Sequence, residues 1–394
     1  MVLGEPVEFE DPETSPFALC GGALFHLPIE QHKTEGDLRL HQMDILGTRW
    51  GRNDIWWGEV EKKKGEYSWK KADSVFNCYK RNNIEMLAII CYSTDWLDGE
   101  APSTDEERRA FADYARALVK RYGDQVKYWE VWNEPNISHF WQPRSDPEEY
   151  AKLLKVTYKA IKKEDPEAVV IGAVTSGTDL KFIRKILHHG AADYMDAISV
   201  HPYQKQAPDS DHRRANLPKA PRLKQMLKSY AAGDMPIWYT ECGWPTIGDF
   251  SEEQQAEYLI KYFTISLGRQ NIDKVYWFNL TDWGPRGSST GGHWGLVYQD
   301  HSPKPSYLAF YVMMDLLKNY SEASEWNPGE KNIHGYVFST EPGKVFAAWT
   351  ESGEETISAP ENAAGLIDIY GKNTALEKET ITLTEEPVYI ITKK

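Results

Sequence analysis

Cysteine is scarce in this chain and poorly placed for chemistry. The four cysteines (Cys20, Cys78, Cys91, Cys242) form no CxxC pair and no Cys/His ligand spacing. Neither a metal centre nor a disulfide framework is implied. No HExxH occurs, and His188-His189 are adjacent rather than one helical turn apart, as suits a helix C-terminus before Gly190. No apolar run approaches the ~18 residues of a membrane span, so no membrane partner is expected. Positive charge is also in deficit: 45 Lys and Arg face 59 Asp and Glu, a net charge of −14. A nucleic-acid partner needs a basic footprint and is not expected. The opening MVLGEPVEFEDPETSPF has no basic start followed by an apolar stretch. The expectation is a cytoplasmic protein, or a secreted one whose leader has already been removed.

Aromatic residues are plentiful instead, with 15 Trp, 22 Tyr and 13 Phe. Two readings stay open: a large aromatic core, or flat faces for stacking on sugar rings and other planar apolar surfaces.

Short apolar runs alternate with longer amphipathic stretches over residues 17–320. The eight strand candidates are Phe17–Phe25, Thr48–Asn53, Glu85–Cys91, Val126–Trp132, Ala168–Ala173, Ala197–Val200, Pro236–Thr240 and Lys274–Leu280. Their uniform apolarity suits parallel strands covered on both faces. Capping boxes at Thr104-Asp-Glu-Glu107 and Ser251-Glu-Glu-Gln254 predict helix starts, and Pro147 opens a third helix that stops before Asp165-Pro166. Eight strand–helix units over roughly 300 residues predict an α/β fold, a (β/α)8 TIM barrel. Residues 321–394 read differently. Strand candidates there (Ile333–Ser339, Lys344–Thr350, Thr356–Ala359, Gly365–Tyr370, Thr380–Thr392) are separated by turns alone. A small C-terminal all-β, sandwich-like domain is expected, with residues 1–16 as an extension whose Val7-Glu-Phe9 adds a strand to it.

The chemistry concentrates at two strand ends. Trp129-Glu-Val-Trp-Asn-Glu-Pro-Asn136 closes the fourth strand, and Ile237-Trp-Tyr-Thr-Glu-Cys-Gly-Trp-Pro245 closes the seventh. Catalytic groups of a β/α barrel sit at the C-terminal ends of its strands. Glu134 and Glu241 therefore face one another across the barrel mouth. Hydrolysis of a glycoside with retention needs such a pair, about 5–5.5 Å apart: one carboxylate to attack, one acid to release the leaving oxygen.

These motifs resemble the clan A glycoside hydrolases, and most of all glycoside hydrolase family 39, the β-xylosidase and related exopolysaccharide-hydrolase group. The resemblance covers roughly residues 17–310. It implies Glu134 as acid/base, Glu241 as nucleophile, Asn133 as the holder of the sugar 2-hydroxyl, and Arg52 as the arginine that keeps the nucleophile ionised. His201 and Tyr203, in His201-Pro-Tyr203 at the end of the sixth strand, resemble the clan's pair beside the nucleophile: Tyr203 bonds Glu241 and His201 contacts substrate. Trp277 matches the aromatic platform under the sugar. Trp57 is expected to face the cleft. Trp56, Trp96, Phe140, Trp141, Trp244, Trp283 and Trp294 are the loop aromatics that would extend it, with Trp244 and Trp283 taken as substrate contacts.

The implied function is a retaining hydrolase of β-linked glycosides or polysaccharides, with a carbohydrate as its partner and no cofactor or metal. Burial and the charge of Glu241 are expected to keep Glu134 protonated. Two other readings share the scaffold: a barrel that binds sugar without turnover, and a transglycosylase with the same pair.

Overall fold

The computed structural model describes residues 6–11, 14–21, 24–248, 250–270, 272–288, 292–329, 332–376 and 379–393. Eight parallel strands close into a barrel in chain order: β1 Phe17–Cys20, β2 Trp50–Trp56, β3 Glu85–Cys91, β4 Tyr128–Val131, β5 Val169–Ser176, β6 Ala197–His201, β7 Ile237–Tyr239 and β8 Lys274–Trp277. β8 pairs back onto β1 through Ala18 and Tyr276, which closes the ring. The eight expected strands are all present, and the helices between them begin where the sequence marks them. Thr104 caps the helix Asp105–Tyr122 and Ser251 caps Glu252–Gly268, each in a full capping box. Asp146 caps Pro147–Glu164 through the amides of Glu148 and Glu149.

Side chains alternate along each strand, and that parity decides what the barrel contains. Ala18, Cys20, Trp50, Leu87, Ile171, Ala197, Trp238 and Tyr276 form the inner apolar cluster. Counting on by two from these residues brings Arg52, Ser199, His201, Thr240 and Phe278 inward as well. The lining thus changes along the axis from an apolar floor to a polar, charged mouth.

Beyond the barrel, the strands β9 Glu322–Glu325, β10 Ile333–Thr340, β11 Gly343–Thr350, β13 Ala363–Asp368, β14 Asn373–Ala375 and β16 Val388–Thr392 form one antiparallel sheet in the order β14-β13-β16-β11-β10-β9. β12 Glu355–Ser358 and β15 Thr380–Leu383 pair separately. Alternation again sorts the faces. Phe346, Ala348 and Ile390 pack toward Ile357 and Ile381 of the small sheet, whereas Val345, Ala347 and Trp349 join the main core.

The β domain and the N-terminal extension depart from the sequence reading in detail. The single run Thr380–Thr392 is two strands, because Glu385-Glu-Pro387 interrupts it and Pro387 has no amide to donate. Val7–Phe9 adds no strand to the β domain. Val7 is buried against the barrel, its amide bonding Ile45 O at 3.3 Å, and the close approach is permitted by Gly47, where a Cβ would sit 2.6 Å from Val7 O.

Candidate functional site

Glu134 follows β4 in the left-handed region at φ 45°, and its amide donates to Val174 O at 2.9 Å. The reversal turns its carboxyl back over the barrel mouth. Glu241 follows β7. One carboxylate oxygen of each, together with a ring nitrogen of His201, lies within 4.8 Å of the others.

Each carboxylate has its own set of holders. Arg52 donates to Glu241 through Nη1, to Glu130 through Nε at 2.6 Å, and to Asn133 Oδ1 through Nη2 at 3.0 Å. Tyr203 donates to the other oxygen of Glu241 at 2.9 Å. The guanidinium is almost fully buried, so burial works against its charge, while Glu130 and Glu241 restore it. Three residues of metal-ligating type, Glu134, His201 and Glu241, do meet here, and Arg52 already supplies a positive charge to Glu241. Asn133 donates from Nδ2 to Tyr92 Oη at 3.0 Å, leaving its second amide hydrogen toward the cavity.

His201 is fully buried and does not line the cavity. Its Nδ1 faces Glu134 Oε1 at 2.9 Å, and its Nε2 faces Thr240 Oγ1 at 3.1 Å. Thr240 has one hydroxyl hydrogen, which goes to the acceptor-only carboxylate of Glu130 at 2.9 Å. Nε2 of His201 must therefore donate. Nδ1 then either accepts from a protonated Glu134 or donates to an ionised one; each arrangement stores one proton between the two residues. Burial raises the pKa of Glu134, but the bond and charge of His201, with Ser176 and Arg52, outweigh it and hold Glu134 below the ordinary carboxylate range. The net direction is opposite to the one expected from burial and Glu241 alone, because His201 is in hydrogen-bond contact with the carboxyl.

The two glutamates open into a cavity of ≈ 1240 Å³. Asn133, Tyr203 and Trp283 line it as expected, with Trp283 49% exposed at its edge. Of the other loop aromatics, Trp56, Phe140 and Trp294 line it too. Trp277, Trp244 and Trp57 do not. Trp277 lies on the outward parity of β8, fully buried with Trp244 at 6.0 Å and Tyr262 at 6.2 Å; Phe278, one residue on, faces the cavity. Trp244 is buried beneath the wall, donating to Gln206 O at 3.2 Å. Trp57 is sealed among Trp96, Phe111 and Tyr114, with Nε1 on Glu61 at 2.5 Å. Sequence reasoning missed Glu130, Tyr92, Phe278 and the cavity-lining Gln204, Lys205, Gln206 and Arg214. Strand parity alone was enough to find Phe278.

The wall carrying Trp283 and Trp294 rests on a buried ion pair. Lys304 Nζ lies 2.9 Å from Asp282, both side chains at most 1% exposed, and Asp282 also accepts from Gly295 N at 2.7 Å. Burial disfavours the charge on Lys304, and Asp282 opposes that. Asp282→Ala leaves a buried cation unanswered and is expected to cost about 3–5 kcal/mol. A urea-denaturation midpoint within experimental error of the parent would show that the pair contributes nothing.

Asp54, Glu35 and Glu134 share a pH signature. Burial raises all three, yet their donors (His26 and Arg52; Arg39 and His301; His201) bring each below its ordinary value of 3.8 for Asp or 4.5 for Glu. A depressed folded pKa contributes stability that is fully present above the unfolded value and is lost as pH falls through the folded one. The melting temperature is therefore expected to hold down to the ordinary carboxylate values and fall below them. Glu257, raised by burial, runs the other way. A thermal scan from neutral to strongly acid pH with no fall would contradict the prediction.

The profile described as Glycosyl hydrolases family 39 matches residues 106–364, and that of Glycosyl hydrolase family 10 matches residues 17–159. The chain is similar to a beta-xylosidase of Geobacillus stearothermophilus, 28% identical over 218 residues, covering 49% of this chain and 42% of the relative. It spans less than half the length of that protein. It is also similar to an endo-1,4-beta-xylanase B of Thermotoga neapolitana, 22% identical over 289 residues, 67% of this chain and 79% of the relative. Among solved structures, a family 39 glycoside hydrolase from the gut symbiont Bacteroides cellulosilyticus WH2 superposes with a TM-score of 0.82 at 26% identity, over 98% of this chain and 82% of that one. With its closed barrel, appended β domain and paired glutamates, the chain belongs to the glycosyl hydrolases of family 39.

Proposed function

We propose that the protein hydrolyses β-linked glycosides with retention of configuration, and that Glu241 and Glu134 are its nucleophile and acid/base. The observation that carries this reading is the spacing of the pair. Carboxylate oxygens within 4.8 Å of one another suit the about 5–5.5 Å separation of a retaining pair and fall short of the about 6.5–9.5 Å of an inverting one.

In the first step a Glu241 oxygen bonds the anomeric carbon as the bond to the leaving oxygen breaks. Glu134 gives that oxygen the one proton it shares with His201 Nδ1 across 2.9 Å. Arg52 and Tyr203 keep the attacking carboxylate ionised and aimed. In the second step Glu134, now a carboxylate, takes a proton from water as the water oxygen displaces Glu241. Asn133 offers its free amide hydrogen to the sugar 2-hydroxyl.

Xylose-containing glycans are the substrate class best supported, since the similar proteins include a β-xylosidase and an endo-xylanase. A cavity of ≈ 1240 Å³ exceeds the usual 300–1,000 Å³ of a small-ligand pocket, which favours binding more than one sugar ring. Proton NMR of a fresh aryl β-xyloside digest tests the mechanism. The β-anomer of the free sugar is expected to appear first; initial release of the α-anomer would remove Glu241 as nucleophile.

A further inference from the structure

The charge of the cavity lining is divided in an unusual way. Its three carboxylates each face a donor: Asp54 faces His26 at 3.8 Å, Glu134 faces His201, and Glu241 faces Arg52 and Tyr203. Its two full cations, Lys205 and Arg214, face no carboxylate among the described residues. Both stand on the segment after β6. From there the chain runs from Asp211 to Asp234 with six Lys and Arg and no Asp or Glu between them, in a protein of net charge −14. Of these six, Arg214 lines the cavity, and with Lys205 it supplies the positive charge of this wall.

The segment is also fixed in place. Gln204 bonds Ala207 O at 2.7 Å and accepts from the amides of Asn216 and Leu217 at 2.9 and 3.0 Å. Trp244 holds Gln206 O. Farther along, Asp209 accepts from Trp349 Nε1 of β11 at 2.8 Å and pairs with Lys261 at 3.1 Å. Lys205 and Arg214 thus extend from a braced backbone, which lowers the ordering cost of binding. A guanidinium fork suits the planar two-oxygen geometry of a carboxylate, and an ammonium on the same cavity wall adds a second donor of like charge.

We infer that this wall is a subsite for a carboxylate-bearing sugar, a uronic acid branching from or lying within the glycan. The inference rests on the hydrolase reading for the identity of the cavity, and its test does not require turnover. The Glu241→Gln protein, which is not expected to cleave its ligands, is titrated calorimetrically with two probes. One is a xylo-oligosaccharide carrying a single glucuronic acid; the other is the same compound with that carboxyl reduced to the alcohol. The acidic probe is expected to bind about tenfold more tightly, the scale of one charge-assisted hydrogen bond. That ratio should shrink with added salt and fall to about one when Lys205→Met and Arg214→Gln are added. Equal affinities, no binding of either probe, or a preference that survives the double substitution would each overturn the subsite. Failure of the parent to cleave any aryl β-glycoside would instead overturn the hydrolase reading.

Discussion

Glu241→Ala should reduce hydrolysis of an aryl β-glycoside by roughly 10⁴- to 10⁶-fold, the scale seen when a nucleophile is removed from a covalent mechanism. The fold should survive the change. Arg52 keeps its second carboxylate, Glu130, at 2.6 Å, so the buried guanidinium is not left unpaired, which is the costly outcome. The vacated space next to Arg52 suits a small anion. Added azide should therefore restore turnover by attacking the anomeric carbon from the side that Glu241 occupied, giving an α-glycosyl azide from a β-glycoside. A folded Glu241→Ala protein with parental activity would end the assignment. A β-azide product would show that attack comes from the other side.

Glu134→Ala carries the second-largest expected effect, and its size should depend on the leaving group. General acid catalysis contributes roughly 10²- to 10⁴-fold, but only where the departing oxygen needs a proton. Natural oligosaccharides should lose the full factor, whereas a dinitrophenyl glycoside, whose leaving group departs as an anion, should form its glycosyl-enzyme at close to the parental rate. Loss of Glu134 also removes the base for the second step, so azide should speed release and yield a β-glycosyl azide. Equal losses on good and poor leaving groups would mean that Glu134 supports the site without transferring a proton. Because His201 bonds Glu134, the parent's pH–rate profile should report the titration of the pair rather than of one carboxyl.

The sequence made the barrel legible because buried parallel strands read as short, uniformly apolar runs. All eight are present, with ends displaced by a few residues where caps and bulges intervene. The edge strands β9 and β14 escaped notice: Glu-Ala-Ser-Glu and Asn-Thr-Ala are polar and short, and pairing rather than burial makes them strands. Glu134 and Glu241 stood out since each lies just beyond an apolar run. Glu130 did not. It is a carboxylate buried inside the barrel, and its meaning depends on Arg52, 78 residues away. The aromatics were the hardest to sort, because a tryptophan gives the same signal whether it faces sugar or core. Parity separates Phe278 from Trp277 on β8, but no such rule reaches the loop residues Trp244 and Trp283, one buried and the other at the rim.

The tie from Asp209 to Trp349 and Lys261 has a consequence for how such proteins can be recombined. The β domain supplies the indole that fixes one side of the cleft, so it is not a passive appendage that can be exchanged at a linker. A chimera joining this barrel to a foreign β domain would leave Asp209 without that indole donor, and the wall bearing Lys205 and Arg214 would lose one of its anchors. A graft that preserves the cleft must carry β11 with it.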